Sequence, residues 1–342
     1  MNHAKKLLTR RTLIQAVAGL AAAPALGAQP PAAVPRLPRL LLAGPFAGVS
    51  NPLVRLVDAG LLRGVADSVE FVNWKDPDQL RALALEGKAD FIAMPSNVAA
   101  NLYNRGVKLG LLDINTWGVL HMVSRDPALK TLADFKGKEV VMPFRGDMPE
   151  IVFRVLADKQ GIKPGEDIRL RYAASPLDAM QLLLTRRADH ALLAEPAVSV
   201  GLRKSKSFPV SAIAPDLYRS VNLQQEWGRV WQRPARIPQA GMVVMGKHLG
   251  NAALIARFRQ AYIEALAWCN AEPDACGKLV AERIAMLTPE GVADAVRQAQ
   301  DESVPAREAR EELEFFFQQL LARQPGLVGG KLPPAAFYAG RA

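Results

Sequence analysis

Short apolar runs and amphipathic stretches alternate along the chain from residue 39 onward. Residues 39–43, 69–73 and 90–94 are rich in aliphatic and β-branched side chains, and each reads as a strand. Between the first two, residues 51–62 set Leu53, Val54, Val57 and Leu61 on one helical face. Residues 76–86 open on Asp76 or Asp78, both of the capping type, and 96–103 form a short further helix. Such alternation predicts a mostly parallel sheet with helices on its faces.

The pattern is sharpest over residues 131–161. Residues 138–142 (KEVVM) predict a buried strand, and Pro143 breaks it. Asp147 stands where a helix N-cap belongs, and Pro149 sits early in that helix. Ile151, Val152, Val155 and Leu156 supply the apolar stripe. Free amides at such a helix start are suited to holding a ligand.

A repeat is also visible. Residues 83–96 align with 182–195 at an offset of 99: a helix ends in basic residues, and Ala89-Asp90 or Ala188-Asp189 leads into an apolar strand. Residues 39–62 match 138–162 more loosely. Two lobes of like topology are therefore expected to face each other, with the loops beyond their strands' carboxyl ends lining a cleft. The chain would cross near 117–123 and again near 237–243. Lobe 1 is then 39–118 plus 242–342, and lobe 2 is 119–241. Residues 208–236, with Trp227, Trp231 and three prolines, read as irregular. Helices are predicted over 252–268, 273–285, 289–300 and 305–323, packing on the first lobe.

Lys5, Lys6, Arg10 and Arg11 precede an apolar run over 13–26, too short for a permanent membrane span. Residues 1–28 read as an export signal, and 9–14 resemble the twin-arginine type. A general secretory signal that happens to carry two arginines gives the same pattern. No cysteine lies near the cleavage site, so a lipid anchor is not expected there. Residues 29–38 form a Pro/Ala-rich linker. Four of the 43 Lys and Arg lie in the first 28 residues, leaving 39 against 33 Asp and Glu. That mild basic excess suits an anionic ligand without requiring one. No basic run interleaves with aromatics, which disfavours nucleic acid as a partner.

Catalytic motifs are missing: there is no Gly-x-Ser-x-Gly elbow, phosphate loop or His-Glu-x-x-His. His121, His190 and His248 stand singly, with no metal spacing. Cys269 and Cys276 flank a predicted helix–turn–helix joint. In an oxidising compartment they are a possible disulfide; the alternative is two small buried thiols.

Leu132-Ala133-Asp134-Phe135-Lys136-Gly137-Lys138, followed by strand, Gly loop and helix, resembles the second lobe of periplasmic solute-binding proteins. The similarity is to the nitrate/sulfonate/taurine type that serves ABC transporters, and it runs from about Arg39 to about Ala285. It implies an α/β fold of periplasmic-binding-protein type II, two α/β lobes with a ligand cleft between them. It further implies a monomeric periplasmic receptor, without cofactor or catalysis, that delivers a small molecule to an inner-membrane ABC permease and its ATPase. Enzymes of pyrimidine-precursor or menaquinone pathways on the same fold, and periplasmic sensors, are the alternatives. By the same resemblance Pro45, Phe46, Ser96, Asn97, Arg145, Gly146, Asp147, Glu195 and Gln239 line the pocket. Ser96 and Asp147 also suit plain N-caps, Glu195 a helix dipole, and Arg145 a pair with Asp147. Ser96-Asn97 and Gly146-Asp147 are expected to face each other from opposite lobes. Phe46, Trp74 and Trp117 are candidate apolar walls. Where sulfonate-binding members carry Ser and Thr, this chain has Arg-Gly-Asp-Met. A carboxylate there favours a ligand with a cationic or hydrogen-bond-donating part.

Overall fold

The computed structural model describes residues 36–213, 216–284, 286–299 and 301–339. The expected export signal and residues 29–35 of the expected linker lie outside the described residues. The first sheet opens with β1 (Leu37–Gly44), α1 (Asn51–Asp58), β2 (Ala66–Asn73), α2 (Pro77–Leu85), β3 (Phe91–Pro95), α3 (Ser96–Asn104) and β4 (Leu109–Thr116). The chain then builds a second sheet: β5 (Leu120–Ser124), β6 (Glu139–Pro143), α4 (Met148–Lys159), β7 (Arg169–Ala173), α5 (Pro176–Leu184), β8 (His190–Ala194), α6 (Ala197–Lys206), α7 (Val210–Ile213), β9 (Tyr218–Asn222) and α8 (Leu223–Trp231). It returns with β10 (Ala240–Met245), α9 (Ala252–Ala271), α10 (Pro273–Arg283), α11 (Pro289–Ala299), β11 (Val304–Pro305) and α12 (Arg310–Arg323).

The strand orders are β11-β4-β10-β3-β1-β2 and β7-β6-β8-β5-β9. In each sheet three strands run parallel, with the first of the three in the middle. In each, a strand entering from the other half of the molecule lies antiparallel beside them: β10 next to β3, and β5 next to β8. The sequence repeat is this shared topology, for α2 and α5, like β3 and β8, begin 99 residues apart.

Buried acids pin the strands. Asp90 accepts from the Leu41 amide at 2.6 Å, from His248 Nε2 at 2.7 Å and from Lys247 Nζ at 2.7 Å, tying β1 to β3 and to the turn after β10. Asp113, in the fully buried β4, takes a two-pronged bond from Arg259 of α9 at 2.6–3.0 Å. Both acids would be costly inside without such partners.

Two expectations change here. Residues 208–236 are not irregular throughout: they hold α7, β9 and α8. Trp227 is buried against Trp231, Phe315 and Phe316, which docks α8 onto α12. Nor do the C-terminal helices keep to one sheet. α9 and α10 lie on α1, whereas α11 lies on α6, where Gly291 meets Val200 and Asp294 pairs with Arg203. Cys269 and Cys276 are both buried at the α9–α10 joint, with their sulfurs 2.7 Å apart.

Candidate functional site

A cavity of about 110 Å³ lies between the two sheets. From the first lobe it is lined by the loops that follow β1, β2 and β3; from the second, by those that follow β6, β7 and β8. It thus sits beyond the carboxyl ends of both sets of parallel strands. Phe46, Trp74, Phe144, Met94, Met148 and Leu177 give it a mainly apolar wall. Trp74 spends its indole N–H on the Ala93 carbonyl, so only its ring is offered inward. Phe144 has a φ of +56°, a left-handed conformation uncommon for a bulky residue.

Asp147 is the one carboxylate on this wall. Its Oδ1 accepts from the Met148 amide at 2.7 Å, so the predicted N-cap exists. Its Oδ2 receives only a long 3.4 Å bond from Arg81 Nη2. Burial raises its pKa, and the Met148 amide and Arg81 only partly offset that. Arg81 belongs to α2 of the first lobe, so this ion pair spans the cleft. Gln239 lines the same cavity and accepts from the Val119 amide at 3.4 Å through Oε1. Thr116 and Ser175 add hydroxyls, and Lys75, exposed to solvent, is the single basic residue on the wall.

Of the nine residues singled out in the sequence, Pro45, Phe46, Asp147 and Gln239 line this cavity. Asn97 and Gly146 meet instead across an outer chamber of about 520 Å³ that also touches Arg81, Arg105 and Asp147. Arg145 lies in a separate open groove, its guanidinium 5.1 Å from the Tyr172 ring centre. Ser96 and Glu195 are spoken for elsewhere. Ser96 does not cap α3: its hydroxyl donates to the Pro238 carbonyl at 2.6 Å and its amide to Gln239, fastening α3 to the returning chain. Glu195 accepts from Arg219 at 2.6 Å and from the Ser199 amide at 3.1 Å, which uses up its charge inside the second lobe. Of the proposed walls, Trp74 and Phe46 line the cavity and Trp117 does not; it is covered by Arg236 at 3.8 Å. Sequence reasoning passed over Phe144, Met148, Thr116 and the bridging Arg81. Among the described residues no three His, Cys, Asp or Glu side chains are grouped to hold a metal ion.

No sequence-family model and no curated protein matches the chain. Solved structures do. An ABC transporter protein from Parabacteroides distasonis superposes with a TM-score of 0.70 at 20% identity, covering 88% of this chain and 98% of that one. The periplasmic aliphatic sulphonate-binding protein SsuA of Escherichia coli gives 0.64 at 16% identity, with 87% and 92% covered. The periplasmic nitrate-binding protein NrtA of Synechocystis gives 0.67 at 13% identity, with 89% and 84% covered. At these identities the likeness is one of fold, and the chain has the type II periplasmic-binding-protein fold shared by ABC-type solute-binding proteins.

Proposed function

We propose that this protein is an exported solute receptor that encloses a small molecule between its lobes and hands it to an ABC-type import permease in the inner membrane. The observation that carries the reading is the cavity itself, closed in by loops from both sheets and mainly apolar. Fold likeness to transporter-associated binding proteins supports it. The basic and apolar start of the chain supports export, by the twin-arginine route, to the periplasm. Among the described residues no helix is long and apolar enough to cross a membrane. In this reading the lobes close about the crossings near 117–123 and 237–243, the protein acts as a monomer, and the ligand leaves unchanged. The full chain is to be expressed, released from the periplasm by osmotic shock, and weighed by native mass spectrometry without unfolding. The expected result is a mass shortened by the signal and carrying one small adduct, lost on denaturation. Retention in the cytoplasm at full mass, or a periplasmic protein without an adduct that no small-molecule mixture shifts, would count against the reading.

A further inference from the structure

Anion sites on this kind of fold have an obvious source: the N–H groups at helix starts that point into the cleft. Here those starts are in large part closed. Pro77 of α2, Pro149 of α4 and Pro176 of α5 stand in first turns, Pro95 immediately precedes α3, and all four line the cavity. Proline has no N–H to donate. Several of the amides that remain are taken. Asp76 caps Asp78 and Gln79, Asp147 caps Met148, and Ser175 caps Asp178. The Ser96 amide goes to the Gln239 carbonyl, and the Ser199 amide of α6 goes to Glu195. The lining's one basic side chain, Lys75, is exposed, while its one carboxylate, Asp147, is 6% exposed and incompletely bonded. An anion entering this space would meet apolar rings, prolines and a like charge.

We infer, building on the receptor reading above, that the cavity selects against anions and takes a compact, largely apolar molecule of about one ring, carrying a protonated or hydrogen-bond-donating nitrogen that bonds Asp147. The size limit follows from the volume of about 110 Å³; it is below the roughly 150 Å³ of an apolar cavity known to accept benzene, so one ring, reaching towards the open side, is the most it takes. Phe46, Trp74 and Phe144 suit a ring, and an edge nitrogen completes the half-bonded carboxylate.

The test uses three probes of one shape, benzylamine, benzyl alcohol and benzenesulfonate. Each is titrated calorimetrically into the mature protein and into Asp147→Asn, which keeps a competent N-cap. Benzylamine is expected to bind about ten-fold or more tightly than benzyl alcohol, and benzenesulfonate weakest of the three. Asp147→Asn is expected to erase the amine's advantage and leave benzyl alcohol within about three-fold, with the unliganded melting temperature held. Benzenesulfonate binding most tightly, an amine advantage untouched by Asp147→Asn, or no binding by any probe overturns the inference. A protein that emerges from cells with an adduct yet prefers benzenesulfonate loses this inference alone; one with neither adduct nor bound probe loses the receptor reading too.

Discussion

His121 illustrates how one buried side chain ties stability to pH. It lies on β5 with 3% of its surface exposed, its Nδ1 without a partner, and Arg219 nearby. Burial, and then the Arg219 charge, lower its pKa from 6.5 to about 4. The folded protein therefore holds it neutral, while the unfolded chain takes up a proton below about pH 6.5. Its contribution is whole above that pH and is lost as the pH falls towards 4. Between pH 7 and 4.5 the loss is on the order of 2–3 kcal/mol. His121→Leu is expected to flatten the fall in urea-unfolding free energy over that range by about this amount; parallel pH curves for the two proteins would refute the assignment. Residue-scale legibility was uneven for a physical reason. Asp147 announced itself because a cap is a local matter of spacing. The Glu195 ion pair was not foreseen because its partner, Arg219, lies 24 residues on, in a stretch whose strand was not recognised. Arg81 was invisible because an arginine on an amphipathic helix ordinarily looks solvated, and nothing local reveals the carboxylate 66 residues away.

At the scale of elements, strongly periodic segments matched the structure within a few residues, and the 99-residue repeat foretold the paired topology. β4 was missed. Its sequence, Leu109-Gly-Leu-Leu-Asp-Ile-Asn-Thr116, breaks its apolar run with polar residues that only tertiary partners make tolerable: Arg259 for Asp113 and the Met242 amide for Asn115. α8 was missed because Trp227 and Trp231 bury against α12, about 90 residues later, so the reason for the helix is not local. The Arg81–Asp147 pair links α2 to the start of α4 from opposite lobes. Arg81 is partly exposed, so its loss should cost folding stability no more than about 1 kcal/mol. Its effect should be local. Arg81→Ala is expected to speed amide hydrogen exchange in peptides covering 144–150 and 74–81, leaving α9 protected as before. Unchanged exchange at both edges would mean that the pair does not hold the cleft shut.

For the whole molecule, the question is how far two lobes can move when helices cross between them. α10 and α11 join α1 of one lobe to α6 of the other, and α12 lies against α4 and α8. In the receptor reading proposed above, these helices confine motion to small closures about the two crossings, and Gly118 lies in the first. It holds a φ of +115°, and a Cβ there would sit 2.8 Å from the Cβ of Gln224, at the start of α8. Gly137 makes a fair control, with a φ of +78° and open space around it. An alanine at Gly137 meets backbone strain alone, about 1–2 kcal/mol. At Gly118 the φ of +115° lies outside the left-handed well, so the backbone strain is larger, and it is joined by a collision between two elements that meet at the crossing. Gly118→Ala is therefore expected to be the more destabilising of the two, by at least about 1 kcal/mol. It should also force the crossing open, raising the radius of gyration in solution scattering, whereas Gly137→Ala leaves the scattering curve as in the parent. Equal stability losses and identical scattering for the two variants would place the hinge somewhere other than Gly118.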